Sequence, residues 1–166
     1  EKQKKVIYTA LNLGTQDKQF TRLLNVVQNE IDKGNIKDKV IVQAGHTKFE
    51  SNDMEIFDLI DREKFSNLIS ECDVLITHGG VGSIITGLQN NKKVIVAPRL
   101  AKYDEHMNDH QLQITENFSK AGYILPLYEN DDLGKILKDI KSFKPKKFKS
   151  NTSHMVKIIS DFIDNN

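Results

Sequence analysis

The sequence predicts an α/β domain in which helices cover both faces of a parallel β-sheet. Short runs rich in Val, Ile and Leu alternate along the chain with segments that repeat apolar residues at helical spacing. Strands that are apolar at nearly every position are typical of a parallel sheet buried on both faces. Because 166 residues with 38% hydrophobic content suffice for one core and hardly for two, we expect residues 1–166 to form a single domain.

The first half of the chain contains three predicted strands and two predicted helices. The first strand is KVIYTALNL, and the following KQFTRLLNVVQNEI places its apolar residues on one helical face. DKVIVQAG and MEIFDLI are the next two strands, and REKFSNLISEC is the second helix. Cys72, the single cysteine, is expected to be a small buried residue at the end of that helix, and one cysteine excludes an intrachain disulfide.

The second half continues the alternation. DVLIT and KVIVAP are the fourth and fifth strands, with a glycine-rich loop and a short helix between them. NDHQLQITENFSKAG is a helix that ends at Gly122, YILPL is a last strand or extended piece, and DDLGKILKDIKSF is a helix with an acidic start. After the basic KSFKPKKFKSN, apolar residues recur at helical spacing, which predicts an amphipathic helix at about 153–163.

Charge and hydropathy argue against two classes of function. A formal net charge of +1 is not that of a protein with a broad nucleic-acid surface, so no nucleic-acid partner is expected. No apolar run approaches the roughly twenty residues of a membrane helix, and EKQKK leads into a strand rather than into a signal-peptide core. If the protein meets a membrane, another component is expected to bring it there.

The stretch THGGVGSII, residues 77–85, is the strongest local motif. Gly79, Gly80 and Gly82 would let the backbone turn with positive φ and approach a ligand closely. The following helix offers free N–H groups and the positive end of its dipole to an anion, and Ser83 adds a hydroxyl donor. The spacing is neither that of a P-loop nor that of a dinucleotide fingerprint. A tight turn without a ligand explains this pattern equally well.

Two further loops follow strands of the same sheet. LGTQD, residues 13–17, links the first strand to the first helix, so it belongs at the same edge as the glycine loop. YDEHMNDHQ, residues 103–111, follows the fifth strand and concentrates histidines, carboxylates and amides. Its spacing matches no standard set of metal ligands, so no metal site is expected. A solvated loop with a capped helix start is the alternative.

Four stretches together carry a resemblance to a known family: LGTQDKQFTRLL, VIVQAGH, DVLITHGGVGSI and KKVIVAPRLAKYDEHMNDHQ. They resemble the catalytic subunit of two-part bacterial polysaccharide glycosyltransferases. They are also similar to the small cytosolic subunit of the eukaryotic UDP-N-acetylglucosamine transferase of lipid-linked oligosaccharide synthesis. A more remote similarity is to the donor-binding half of the transferase that completes lipid II. The resemblance extends from Val6 to about Phe162.

The resemblance implies the Rossmann-like C-terminal half of a GT-B glycosyltransferase, which binds a UDP-sugar, and it supplies candidate binding residues. The residues expected near the diphosphate are Gly14, Thr15, Gln16, Gly79, Gly80, Val81, Gly82 and Ser83. Those expected near the uracil or on the neighbouring wall are Leu59, Ile60, Gln43, Ala44 and Gly45. The candidates for reading the sugar are Glu105, His106, Asn108, Asp109, His110 and Gln111. Relatives often have an acidic residue where this chain has Thr86, which weakens the expected ribose contact.

The expected chemistry is an inverting, metal-independent hexosyl transfer. Helix dipoles, loop N–H groups and hydroxyls can stabilise the charge that develops on a departing UDP without Mg²⁺ or another cofactor. His78 lies at the appropriate strand end and is a candidate for the base. In this fold, however, the base and the acceptor site usually come from the N-terminal half, which a chain of this length does not include.

By resemblance, a separate membrane-anchored partner would complete the cleft, bring a lipid-linked saccharide acceptor and hold this cytoplasmic chain at the inner face of the membrane. The helix at about 153–163 is the candidate docking element, although it could equally pack on its own domain. Capsule or exopolysaccharide synthesis would be the setting. Two alternatives remain from the sequence: a non-catalytic subunit that stabilises a partner transferase, and an unrelated nucleotide-binding or phosphosugar-binding α/β domain.

Overall fold

A computed structural model describes residues 8–149, which form a six-stranded sheet and five α-helices. The strands are β1 (Tyr8–Asn12), β2 (Lys39–Gln43), β3 (Met54–Phe57), β4 (Val74–His78), β5 (Lys93–Ala97) and β6 (Leu125–Pro126). The helices are α1 (Thr21–Asp32), α2 (Arg62–Glu71), α3 (Val81–Gln89), α4 (His110–Lys120) and α5 (Leu133–Ser142). A 3₁₀ turn, Ala101–Tyr103, lies between β5 and α4.

All the strand pairs are parallel, and the strand order is β3-β2-β1-β4-β5-β6. The chain first adds strands on one side of β1 and then crosses to add the rest on the other side. β1 and β4 are therefore neighbours at the point where the direction of winding reverses. Ligands of open α/β sheets bind outside the carboxyl ends of the strands at such a switch point. The Rossmann-like parallel fold expected from the sequence is confirmed.

Each face of the sheet has its own hydrophobic core. Leu23 and Val27 of α1 pack with Ile140 of α5 on one face, whereas α2, α3 and α4 cover the other. Consecutive strand residues alternate between the two cores: in β4, Leu75 belongs to one and Ile76 to the other. Burial on both faces is the physical reason for the continuous apolar runs in the sequence.

Several details depart from or complete the sequence-based expectations. The last strand has only two residues, and the second is Pro126, which has no N–H to donate to a sheet. Gly122 follows α4 at φ +83°, a left-handed conformation suited to glycine. Cys72 is buried at the end of α2, as expected. The start of the first predicted strand and the amphipathic helix at about 153–163 lie outside the described residues. No helix within residues 8–149 is both long enough and apolar enough to cross a bilayer.

Gly87 on α3 allows that helix to lie close to the sheet. A Cβ at this position would lie 2.8 Å from Leu75 Cδ2 and 2.9 Å from Val94 Cγ2. We therefore expect Gly87→Ala to lower the free energy of unfolding by about 1–3 kcal/mol through overpacking, although Ala is the better helix former. Urea denaturation measures this change.

Gly82→Ala is the matched control on the same helix, because a Cβ there would meet no protein atom within 4 Å. We expect it to leave stability unchanged or to raise it by up to about 1 kcal/mol. A Gly87→Ala protein as stable as the wild type would show that α3 is not seated as tightly as the structure indicates.

Candidate functional site

A cavity of about 490 Å³ opens at the carboxyl ends of β1 and β4, at the switch point of the sheet. Its lining comes from the loops after β1 and β4, the start of α3, and the start of α2. The lining residues are Asn12, Gly14, Thr15, Gln16, Gln43, Ile60, Arg62, Phe65, His78, Gly80, Gly82 and Ser83. Two loops that are 60 residues or more apart in sequence are brought to one site because their strands are neighbours in the sheet.

Asn12 connects the walls of this cavity. Its Oδ1 accepts hydrogen bonds from Gly14 N at 3.1 Å and from Gln43 Nε2 at 3.0 Å. Its Nδ2 donates to Ser83 Oγ at 2.8 Å. Since the Ser83 oxygen accepts from Asn12, its own hydrogen is directed to another acceptor, such as a ligand in the cavity. Asn12 is 2% exposed, so its amide is committed to these neighbouring groups.

The start of α3 supplies backbone donors. Gly80 caps the helix and accepts its first bond, from Ile84 N at 3.1 Å. Ile84 is the first residue of the helix whose N–H finds an acceptor within it. The N–H groups of Val81, Gly82 and Ser83 therefore have no acceptor in the helix. With the positive end of the helix dipole, they form an environment suited to an anion.

The glycines of this loop are not left-handed, so the expectation of positive φ there is wrong. Positive φ occurs instead at Gly14 (+85°) and Gly45 (+60°). A Cβ on Gly45 would overlap the Gly14 carbonyl oxygen, so Gly45 allows the loops after β1 and β2 to pack backbone against backbone. The glycines at 79 and 80 provide space rather than a special turn, because a Cβ on either would meet a side chain at less than 3 Å.

The end of the cavity near α2 is more apolar. Ile60 and Phe65 line it, and the exposed Arg62 adds a cation. Ile60 N donates to Gln43 Oε1 at 3.1 Å, so the Gln43 amide ties this wall to Asn12. Leu59, by contrast, is 60% exposed and faces a different surface groove beside β3.

Gln16 carries an orphaned acceptor at this site. Its Oε1 is buried and has no hydrogen-bond partner in the described part of the chain. The same atom lies 2.6 Å from the point that a Cβ on Gly14 would occupy. A buried acceptor without a donor is costly, which is consistent with a partner supplied by a ligand.

His78 stands between the two glycine-containing loops. It is 5% exposed, and Gln111 Nε2 lies 3.1 Å from its Nδ1. Burial lowers the pKa of His78 to about 3, and the nearby Arg99 guanidinium acts in the same direction. His78 is therefore a neutral imidazole at physiological pH and a weak base for an acceptor hydroxyl.

The loop between β5 and α4 is held by Arg99, whose side chain is fully buried. The guanidinium donates to backbone carbonyls of Leu13, Lys18 and Glu105, with a 2.8 Å bond to Lys18 and a 2.9 Å bond to Glu105. The Glu105 carboxylate pairs with Arg22 through two bonds, at 2.9 and 3.0 Å, and also accepts from Leu100 N. Glu105 is thus buried and committed to the protein rather than directed into the cavity.

The remaining sugar-reading candidates lie on this loop and on the first turn of α4, outside the cavity lining. Ala101 N donates to Asp109 Oδ1 at 2.9 Å, and His110 N donates to Asn108 Oδ1 at 3.0 Å, which shapes the loop. Burial lowers the pKa of the half-buried His106, with a smaller contribution from Arg99. Asp109 lines a second cavity, of about 520 Å³, beside β6.

Of the residues singled out from the sequence, nine line the cavity at the switch point. These are Gly14, Thr15, Gln16, Gln43, Ile60, His78, Gly80, Gly82 and Ser83. The others lie outside its lining: Ala44, Gly45, Leu59, Gly79, Val81, Thr86, Glu105, His106, Asn108, Asp109, His110 and Gln111. Thr86 sits one turn beyond Gly82 and donates to its carbonyl at 2.9 Å.

Sequence reasoning missed four residues of the site. Asn12, Arg62 and Phe65 line the cavity, and Arg99 holds the loops around it. Two of them carried a signal: Asn12 is a polar residue at the end of an apolar strand, and Arg99 follows the strand-ending KVIVAP. Nothing in the local sequence distinguishes Arg62 or Phe65 from other residues of an amphipathic helix.

The family model described as glycosyltransferase family 28 C-terminal domain matches residues 13–165. The chain belongs to this family. The matched region includes both glycine-containing loops, the β5–α4 loop and every residue that lines the cavity except Asn12.

Curated relatives are named UDP-N-acetylglucosamine transferase subunit ALG13. The protein of Debaryomyces hansenii is 31% identical over 124 residues, which cover 75% of this chain and 54% of the relative. The protein of Candida albicans is 33% identical over 103 residues, which cover 62% of this chain and 33% of the relative. The aligned part of this family 28 domain thus spans between a third and about half of these relatives.

Solved structures with the same fold include glycosyltransferases with longer chains. A kitacinnamycin glycotransferase superposes with a TM-score of 0.60 at 18% identity over 98% of this chain and 39% of that one. The calicheamicin glycosyltransferase CalG4 gives 0.62 at 10% identity over 98% and 38%. The solution structure of ALG13 gives 0.57 at 21% identity over 96% of both chains. The fold is that of the C-terminal half of a GT-B glycosyltransferase.

The buried, neutral His78 predicts how stability depends on pH. Its pKa is about 3 in the folded protein and near the ordinary 6.5 when unfolded, so the unfolded state binds the extra proton between these values. The contribution of His78 to stability is therefore complete above about pH 6.5 and is lost as pH falls towards 3, by up to about 1.4 kcal/mol per pH unit. Urea unfolding at pH 7 and pH 5 measures it.

We expect His78→Gln to reduce this loss between pH 7 and pH 5, since glutamine does not titrate. His46→Gln is the control, because His46 is exposed. A His78→Gln protein with the same pH dependence as the wild type would show that His78 is not held neutral by the fold.

Proposed function

We propose that this chain is the donor-binding subunit of a glycosyltransferase that moves a sugar from a UDP-sugar to a lipid-linked acceptor. The UDP would occupy the cavity at the switch point. Family membership and the subunit names of the relatives support this function. Because those names specify UDP-N-acetylglucosamine, that nucleotide sugar is the first donor to test.

The single observation that carries the proposal is the polarity of the cavity. One end presents the N-terminus of α3 and the Ser83 hydroxyl, together with the loop of Gly14 and Gln16. The other end presents Ile60 and Phe65. A nucleoside diphosphate has the complementary distribution, with a negatively charged diphosphate joined through the ribose to a flat and partly apolar base.

The same groups would act on the leaving UDP. Negative charge grows on the diphosphate as the bond to the sugar breaks, and donors aimed at that position stabilise the transition state more than the ground state. The α3 N–H groups and Ser83 are already fixed by the helix and by Asn12, so little reorganisation is needed. We therefore propose an inverting transfer that proceeds without a divalent metal.

The base and the acceptor site would lie on a partner subunit. His78 is neutral and buried, with a pKa well below that of a useful base, and Gln111 contacts its Nδ1. The chain covers under two fifths of the two longer glycosyltransferases that share its fold. A membrane-anchored partner would hold the complex at the cytoplasmic face, where the acceptor of capsule, exopolysaccharide or related glycan synthesis would be glycosylated.

Gly82→Val tests the donor site without disturbing the fold. A side chain at Gly82 meets no protein atom within 4 Å, yet the residue lines the cavity. We expect the variant to retain the wild-type melting temperature and to lose at least about tenfold in UDP affinity by steric exclusion, measured by calorimetric titration.

Gln89→Val, which adds a β-branched residue at an exposed position of the same helix, is the matched control and should bind UDP normally. Ser83→Ala should cost on the order of 1 kcal/mol of binding free energy through one lost hydrogen bond. Unchanged UDP affinity in Gly82→Val, or no affinity of the wild type for UDP and UDP-sugars at millimolar concentration, would contradict the assignment.

The proposal that donor binding and acceptor binding lie on separate subunits gives a further prediction. The isolated chain should bind the donor weakly and transfer sugar negligibly, whereas co-purified complex should transfer sugar from radiolabelled UDP-sugar to a lipid acceptor and keep its activity in EDTA. Robust transfer by the isolated chain would refute the split enzyme. Strict Mg²⁺ dependence would refute the metal-free mechanism.

A further inference from the structure

Gln111 is a buried amide whose orientation is fixed by its neighbours. It is 3% exposed, and its Oε1 accepts from two backbone N–H groups, those of Gly79 at 2.9 Å and Arg99 at 3.1 Å. A backbone N–H can only donate, so the atom facing these two groups must be the amide oxygen. The other end of the amide, Nε2, therefore faces His78 Nδ1 at 3.1 Å.

This orientation determines the tautomer of His78. An amide NH₂ group donates and does not accept, so Nδ1 must be the acceptor and carry no proton. In a neutral imidazole the proton then resides on Nε2. Burial of His78 and the nearby Arg99 guanidinium lower the pKa of the ring, so it is neutral and carries a single proton.

Three glycines make room for this pair. A Cβ on Gly79 would lie 2.9 Å from both the Cβ and the carbonyl oxygen of Gln111. A Cβ on Gly14 would lie 2.7 Å from His78 Nε2 and Cε1, and one on Gly80 would overlap the same ring. The glycines at these positions thus leave the space that the His78 imidazole and the Gln111 side chain occupy.

Nε2 faces the region where the loop after β1 borders the cavity. It lies 2.7 Å from the point that a Gly14 Cβ would occupy, and the orphaned Gln16 Oε1 lies 2.6 Å from that same point. We propose that Gln111 is a positioning residue that holds His78 as the Nε2–H tautomer, so that the imidazole presents a hydrogen-bond donor to the ligand in the cavity. The assignment of the tautomer depends only on the geometry of the ligand-free chain. The identification of the acceptor as a diphosphate oxygen rests on the proposed function.

The first test reads the tautomer directly. Long-range ¹H–¹⁵N correlation spectra of the ligand-free wild type at pH 8 should show His78 with a bare Nδ1 and a protonated Nε2. In Gln111→Glu, the carboxylate can still accept from Gly79 N and Arg99 N, but its second oxygen requires a proton on Nδ1, so Nδ1 should become protonated. Gln113→Glu makes the same charge change at an exposed position of α4 and should leave the spectrum of His78 as in the wild type.

The second test asks whether Gln111 acts through His78. Gln111→Glu should weaken UDP binding by about tenfold or more, because a bare Nε2 would face the ligand oxygen in place of a donor. In a His78→Ala background, the same change should cost little further affinity, as expected for two residues that act as a unit.

The outcomes separate this proposal from the proposed function. A protonated Nδ1 in the wild type, or an unchanged tautomer in Gln111→Glu, would overturn the role of Gln111 whether or not UDP binds. An equal loss of affinity in the His78→Ala background would also overturn it, because the carboxylate would then act by charge alone. If the wild type shows the Nε2–H tautomer but binds no UDP, the positioning role stands and the proposed donor is wrong.

Discussion

The arrangement of the site depends on one buried cation. The Arg99 guanidinium has no carboxylate among its hydrogen-bond partners within residues 8–149 and is held there by the backbone carbonyls of Leu13, Lys18 and Glu105. Its backbone N–H binds Gln111, whose amide also binds Gly79. The loops after β1, β4 and β5 are thereby connected to a single residue. A buried charge that loses its partners costs several kcal/mol, so the loops and the cation stabilise one another.

A second polar centre, Asn12, lies in the lining of the cavity itself. Its amide bonds to the backbone of its own loop, to Gln43 from β2 and to Ser83 from α3. A buried amide that is hydrogen-bonded through both its oxygen and its nitrogen can hardly rotate. The groups bonded to it therefore keep one geometry. The donors proposed to receive a diphosphate are therefore positioned before any ligand arrives, which is the condition under which electrostatic stabilisation of a transition state is most effective.

The physical reason for the glycines of the THGGVGSII motif differs from the one that their pattern indicates. A cluster of glycines after a strand is commonly associated with unusual backbone conformations, yet those at 79, 80 and 82 are not left-handed. Two of them make space for side chains that approach from elsewhere in the fold, and Gly82 faces open space at the cavity. The small residues at 79 and 80 are thus explained by the space that the His78–Gln111 pair occupies.

The sequence by itself determined the layered α/β architecture and the position of the ligand edge. Apolar runs that alternate with helical segments are typical of a parallel sheet covered on both faces, and loops after parallel strands gather at one edge. The roles of individual polar residues were decided only by tertiary structure. Glu105 and Gln111 share a polar loop in the sequence, but the first pairs with Arg22, 83 positions earlier, and the second reaches His78, 33 positions earlier. Because hydrogen bonds of this kind depend on which strands become neighbours, no local pattern of residues encodes them, and the sequence identified the side chains without identifying their partners.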